Sequence, residues 1–221
     1  MSLTSRKSDW GPVLILGGLW GLSEAALGMY LRQCASTVSG SLMAGAALFF
    51  LAAAWAVSPR SRTVAGMVVL AAGFKLFDAL LLGLPVRHGA IANPIFAMVM
   101  EGAAFLLIVS IIRGELFSRP LGRGLTGGLA ALLAVNVFPL VRFATGIAAC
   151  KVPGTAIPLS LYYAPIAVSL AALTVPAGAW LGAKAAAFET RLAATGSPRL
   201  GWAAPVALVL CLAALTLLRL I

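Results

Sequence analysis

The sequence predicts an all-α membrane protein, a bundle of about seven transmembrane helices. Of the 221 residues, 62% are apolar and only 10% are charged, whereas soluble domains are about 45–50% apolar and about a quarter charged. The mean hydropathy is +1.04. Long apolar runs are separated by short basic breaks, and these runs lack the alternating polarity of membrane β-strands.

Seven apolar runs are long enough to cross a bilayer as helices, which takes about 20 residues each. They lie at roughly 11–31, 39–57, 63–82, 95–112, 124–147, 158–183 and 202–221. Breaks rich in Pro, Gly or Arg, such as 58–62, 119–123 and 195–199, separate them. We expect a single integral membrane domain over 1–221, with a six-helix core and one extra C-terminal helix.

The distribution of basic residues predicts the orientation. Ten of the sixteen Lys and Arg residues fall on the side of the N-terminus, four fall on the opposite side, and two lie within spans. The positive-inside rule therefore puts the N-terminus in the cytoplasm and, with seven spans, the C-terminus outside. This topology accounts for most of the net charge of +10. We expect no nucleic-acid binding, because that would need basic residues clustered on one solvated face. Contact with anionic lipid head groups is a secondary interpretation.

Five charged residues lie within the predicted spans: Glu24, Lys75, Asp78, Glu101 and Arg142. Such charges are costly in a bilayer and usually face a protein interior or a cavity. In the predicted orientation all five fall in the outer half of the membrane. They predict a polar cavity that opens outward and binds a small polar or zwitterionic solute. The carboxylates would meet a cationic group, and Lys75 or Arg142 an anionic one. The alternative is a closed ion-pair network that only joins helices.

Several chemistries lack their motifs. The chain has one histidine, His88, and no HExxH, Walker A or GxSxG sequence, so we expect no metal site, cofactor, ATPase or enzymatic activity. A membrane-embedded enzyme that uses carboxylates alone is the remaining enzymatic alternative. Asn93, before Pro94, is interpreted as a helix cap, and His88 as a solvated loop residue.

Small residues and cysteines give two further hypotheses. Gly17, Gly21 and Ala25 recur every four residues in the first run, a pattern that permits close helix contact within the chain or with a partner. Cys34 and Cys150 fall in predicted outer loops, so a disulfide between them is conceivable if that compartment is oxidising.

Part of the chain resembles a known family. The segment 18–28 (GLWGLSEAALG), the Lys75 and Asp78 pair and the segment 100–103 (MEGA) resemble the substrate-binding (S) components of energy-coupling factor transporters. The resemblance covers roughly residues 11–113. Members of that family bind a vitamin or related micronutrient near the outer face of a six-helix bundle, and a separate transmembrane subunit with two ATPases drives uptake.

The resemblance implies roles for particular residues. Gly17, Gly21 and Ala25 would dock the transmembrane coupling subunit, whereas Glu24, Asp78 and Glu101 would line or support the pocket. It also implies a location in the bacterial inner membrane. The chain departs from the family in its seventh span, and its Met1-Ser2 start differs from the metal-binding Met-His of cobalt- and nickel-type members.

We therefore expect the substrate-capturing subunit of a micronutrient uptake transporter, with a small solute, the lipid bilayer and coupling subunits as its partners. Two alternatives stay open. One is a self-sufficient, proton-coupled carrier. The other is a non-transporting structural or assembly protein, which would tolerate neutralisation of all five charges.

Overall fold

The fold is an all-α bundle, as the composition predicts. The computed structural model describes residues 10–34, 38–194 and 200–220. The long helices are α1 (Trp10–Cys34), α2 (Ser39–Val57), α3 (Ser61–Leu81), α4 (Gly89–Ser118), α5 (Pro120–Val137), α8 (Ala164–Ala194) and α9 (Leu200–Leu220), and the short ones are α6 (Val141–Thr145) and α7 (Leu159–Tyr162). Over these ranges, seven segments are long and apolar enough to cross a membrane, which confirms the seven-span prediction; the fifth, Pro120–Thr145, includes α5, a 3₁₀ turn and α6.

Two of the differences from the predicted helix bounds have local causes. The fourth helix begins at Gly89 because His88 caps it, its Nδ1 accepting a hydrogen bond from the Ala90 amide at 3.2 Å. Asn93 therefore lies inside α4 and is not its cap. The predicted span 124–147 is interrupted, since a 3₁₀ turn at Phe138–Leu140 separates α5 from α6. Its Pro139 has no N–H to continue the α-helical ladder.

Six helices form a closed ring in which neighbours pack in the order α1, α3, α4, α5, α8, α2 and back to α1. α2 also contacts α3, α4 and α5, so it lies toward the centre of the ring. Fully buried Leu48, Met67 and Phe105 are part of the main core. α9 lies outside the ring against α1 and α3, where Cys211 and Leu215 pack with Phe74. The expectation of six core helices and one extra C-terminal helix matches this arrangement.

The interface between α2 and α8 depends on two glycines spaced by four residues. Gly178 and Gly182 of α8 lie directly against the backbone carbonyls of Phe49 and Ala53 on α2. A Cβ atom at either glycine would overlap those carbonyls. Close backbone approach of this kind is favoured by small residues and permits Cα–H···O contacts between the helices.

We predict that Gly178→Ala destabilises the bundle. The overlap with Phe49 should cost about 1–3 kcal/mol, which exceeds the roughly 0.5–1 kcal/mol that Ala gains over Gly in a helix. Gly73→Ala is the matched control, because Gly73 is exposed in the middle of α3 with open space around it. Thermal unfolding in detergent should show a lower Tm for Gly178→Ala only. Equal Tm values for the two variants would contradict the close packing.

The two ends of the bundle differ in charge. The α2–α3 and α4–α5 connections carry or adjoin four arginines, at 60, 62, 119 and 123, and we call this the basic end. The opposite end, where α1 finishes and α2 and α4 begin, is called the cavity end. The positive-inside rule predicts that the basic end faces the cytoplasm.

Candidate functional site

A cavity of about 350 Å³ lies at the cavity end of the bundle. Its wall comes from α1, α2, α4, α5, α7 and the residues beside them: Glu24, Ser39, Gly40, Ser41, Met43, Ala44, Gly89, Ala90, Asn93, Pro94, Ala97, Glu101, Ala134, Val135, Phe138, Cys150, Leu159, Ser160 and Tyr163. Gly40 and Cys150 in this wall are exposed, so the cavity is accessible from this end. The volume is at the lower end of the range for small-molecule sites, about 300–1,000 Å³.

Two carboxylates line the cavity deep in the bundle. Glu24 lies ten residues before the end of α1, and Glu101 lies twelve residues after the start of α4. At 1.5 Å per residue they are about 15 and 18 Å from the helix ends. Each residue is 7% exposed. Neither carboxylate accepts a hydrogen bond or forms an ion pair with any residue that the structure describes.

Neutral polar groups in the same wall also lack partners. Asn93 Oδ1 and Ser160 Oγ are buried and form no hydrogen bond among the described residues. Pro94, one residue further along α4, has no N–H to donate to the Ala90 carbonyl. Ser41, by contrast, donates from its Oγ to the carbonyl of Tyr163 at 3.2 Å. The cavity thus presents mainly hydrogen-bond acceptors that the protein leaves unused.

The other polar group inside the bundle is an ion cluster of Lys75, Asp78 and Arg219. Asp78 Oδ2 accepts from Lys75 Nζ at 3.2 Å, and Arg219 donates to both carboxylate oxygens at 2.5 and 2.9 Å. The Asp78 side chain is 1% exposed, and the two cationic side chains are 9% and 12% exposed. None of the three lines the cavity. The cluster joins α3 to α9 and has the geometry of a bidentate arginine–carboxylate pair.

The structure divides the five predicted site residues into three groups. Glu24 and Glu101 line the cavity together, as expected. Lys75 and Asp78 belong to the separate ion cluster, which corresponds to the alternative of an ion-pair network that joins helices. Arg142 is exposed on α6 and does not line the cavity. The 3₁₀ turn before α6 interrupts the helix that the sequence predicted to carry Arg142 into the bundle.

Arg219 is the member of the ion cluster that the sequence did not predict. It is one of the four basic residues predicted on the outer side. Its position near the end of the last apolar run places it on the same side of the membrane as Lys75 and Asp78, and this was the sequence feature that could have indicated their contact. Depth alone does not say which helix lies beside α3. Because α9 packs on α1 and α3, Arg219 meets Asp78 where Arg142 does not.

The stripe of small residues on α1 serves packing within the chain. Gly17 lies against Leu70 and Gly21 against Phe74, both on α3. Ala25 is 2% exposed in the cluster that contains Phe74. A coupling subunit could reach these three residues only by displacing α3. Of the two uses that the pattern permits, the structure contains the intramolecular one.

Cysteine and metal chemistry add little to the site. Cys150 carries a free thiol in the cavity wall, while the side chain of Cys34 lies outside the described residues. Across residues 10–34, 38–194 and 200–220, no group of three or more His, Cys, Asp or Glu side chains could hold a metal ion.

Comparisons of the chain with family models, with curated proteins and with solved structures give no significant match. The resemblance to energy-coupling factor S components therefore stays a prediction, and the cavity is the main structural indication of function.

Proposed function

We propose that this chain is a membrane-embedded binding protein that captures a small polar solute in the cavity lined by Glu24 and Glu101. The observation that supports this most is the pair of buried carboxylates, Glu24 and Glu101, in the wall of a 350 Å³ cavity, where neither forms a hydrogen bond or ion pair with a described residue. Ionisable groups within membrane spans are expensive, and those without a structural partner commonly mark a solute or ion pathway.

The chain would act as the substrate-capturing subunit of an uptake transporter in a bacterial inner membrane, with its N-terminus in the cytoplasm. The basic end supports this orientation, which places the cavity toward the exterior. The absence of a Walker A sequence means that ATP-driven uptake would need a separate ATPase and a transmembrane coupling subunit. Such a subunit would dock on a surface other than the stripe of Gly17, Gly21 and Ala25.

A self-sufficient, proton-coupled carrier is the second candidate, favoured by the same two carboxylates because proton relays in carriers use acidic residues within spans. Liposomes that contain this chain alone separate the two functions. Solute accumulation driven by an imposed proton gradient would support the carrier. Binding without accumulation would support the capturing subunit.

Filling the cavity should remove the bound solute. We expect Ala97→Phe to reduce solute occupancy at least tenfold, because Ala97 lines the cavity one turn before Glu101 on α4. Ala103→Phe is the matched control, since Ala103 is exposed on the same helix. Native mass spectrometry of each protein, purified gently from its host membrane, measures the mass and the fraction of retained solute. Equal occupancy in the two variants, or wild-type protein that never retains a solute, would contradict the proposed function.

A further inference from the structure

The unpartnered groups in the cavity share one chemical property, which is that they accept hydrogen bonds. When they are ionised, the Glu24 and Glu101 carboxylates can only accept hydrogen bonds, and Asn93 Oδ1 is also an acceptor. A ligand that satisfies them must therefore donate N–H or O–H groups. Ammonium, guanidinium and similar nitrogen cations carry several such donors in a small volume, and hydrogen bonds between ionised partners are about twice as strong as neutral ones.

The charges around the cavity favour a cation. Among the described residues, no Lys or Arg lines the wall, so its formal charge is −2 when both carboxylates are ionised. Lys75 is paired with Asp78 and interacts electrostatically with Glu24 from outside the wall, Arg219 is paired with Asp78, and Arg142 is exposed elsewhere. The anionic group of a zwitterion would find no cationic side chain within the cavity. Of the small polar or zwitterionic solutes expected from the sequence, the cavity therefore favours those without an anionic group.

The remaining wall favours an organic cation over a bare metal ion. Met43, Val135 and Leu159 supply apolar surface, and Phe138 and Tyr163 supply aromatic rings of the kind that contact organic cations. A metal ion would have two carboxylates, but within the described part of the chain no third acidic, His or Cys side chain, Cys150 of the same wall included, forms a metal-binding group with them.

From these observations we infer that the cavity selects a small organic cation, an amine or related nitrogen base with an apolar body, which its ammonium group anchors between Glu24 and Glu101. This inference rests on the proposed function and adds the charge class of the solute. Neutral molecules of the same size would lose the ionic contacts, and anions would be repelled by the two carboxylates.

The native thiol of Cys150 allows a direct test, because it is exposed and lies in the cavity wall. Two thiol reagents of similar size are compared, the cationic trimethylammonium-ethyl methanethiosulfonate and the anionic sulfonatoethyl methanethiosulfonate. Their rates at Cys150 in the full-length protein are measured by peptide mass spectrometry. Each rate is divided by the rate with free cysteine, which removes the difference in intrinsic reactivity. Charged clefts raise local counter-ion concentrations by about 10- to 1,000-fold.

We expect the normalised cation-to-anion ratio to be at least about tenfold at low ionic strength and to fall when salt is added. The double variant Glu24→Gln/Glu101→Gln should bring the ratio close to one. The control Glu189→Gln removes an acidic residue on α8, outside the cavity wall, and should leave the ratio unchanged.

Failure of this inference is distinct from failure of the proposed function. A ratio near one in the wild type, or one that the double variant does not change, would overturn the selection of cations. Solute occupancy in Ala97→Phe and Ala103→Phe would then still decide whether the cavity binds a solute at all. A neutral or anionic solute identified by native mass spectrometry would overturn the charge class and leave the binding function standing.

Discussion

Glu101→Gln is expected to abolish solute binding while leaving the bundle at least as stable as the wild type. Glu101 is 7% exposed, lines the cavity and has no partner among the described residues. Losing one side of a buried ion pair with a cationic ligand typically costs about 2–5 kcal/mol, which corresponds to an affinity about 30-fold to more than 1,000-fold weaker. Glu24→Gln should behave in the same way.

The expected effect on stability has the opposite sign. A buried carboxylate without a partner destabilises the folded state, because its charged form loses the solvation it had in water. Gln has nearly the same shape without the charge, so the empty protein should keep or raise its Tm. Residues held for function at the expense of stability commonly show this trade-off.

The experiment measures solute occupancy by native mass spectrometry and Tm in detergent on the same preparations. Glu189→Gln is the control for removal of a carboxylate outside the cavity and should change neither quantity. Unchanged occupancy in both Glu24→Gln and Glu101→Gln would remove these residues from the site. A Tm lowered by many degrees in both would mean that the carboxylates hold the fold together.

Hydropathy was sufficient to predict the spans because a bilayer demands long apolar runs. The depth of the five charges followed from the same runs, and of these five residues Glu24 and Glu101 share the cavity wall. Depth does not determine which way a helix faces around its own axis. That rotation is set by close contacts, such as Gly21 of α1 against Phe74 of α3.

The wrong grouping of Arg142 and the missed role of Arg219 have one physical cause. Both arginines come late in an apolar run that ends on the same side of the membrane. The turn at Phe138–Leu140 ends α5 before Arg142, whereas α9 stays helical to Leu220 and packs on α3. A hydropathy profile shows neither the interruption of the helix after α5 nor the packing of α9 against α3.

Asp78→Asn is expected to give the largest loss of stability of any single-charge substitution in the described part of the chain. The Asp78 carboxylate is the shared counter-ion of Lys75 and Arg219, and all three side chains are nearly buried. Neutralising it leaves two cations close together, each without its ion-pair partner. Breaking a buried ion pair from one side costs about 3–5 kcal/mol.

The loss should be concentrated at α9. The main neighbours of this helix in the ring are α1 and α3, and Arg219 is its charged link to α3. Cys211 is buried between α9 and α1, where Gly18 lies against it. Loosening of α9 should therefore expose the Cys211 thiol, so that its reaction with N-ethylmaleimide becomes faster in Asp78→Asn as the Tm falls.

Two further variants separate the ion cluster from a general loss of packing. Arg219→Gln should cost less than Asp78→Asn, because Asp78 then keeps Lys75 as its partner. The double variant Asp78→Asn/Arg219→Gln should recover part of the Asp78→Asn loss, since only one uncompensated cation remains. Leu217→Ala, at a position of α9 that is 59% exposed, controls for substitution in that helix. If Asp78→Asn and Leu217→Ala have the same Tm and the same rate of Cys211 reaction with N-ethylmaleimide, the ion cluster does not hold α9 in place.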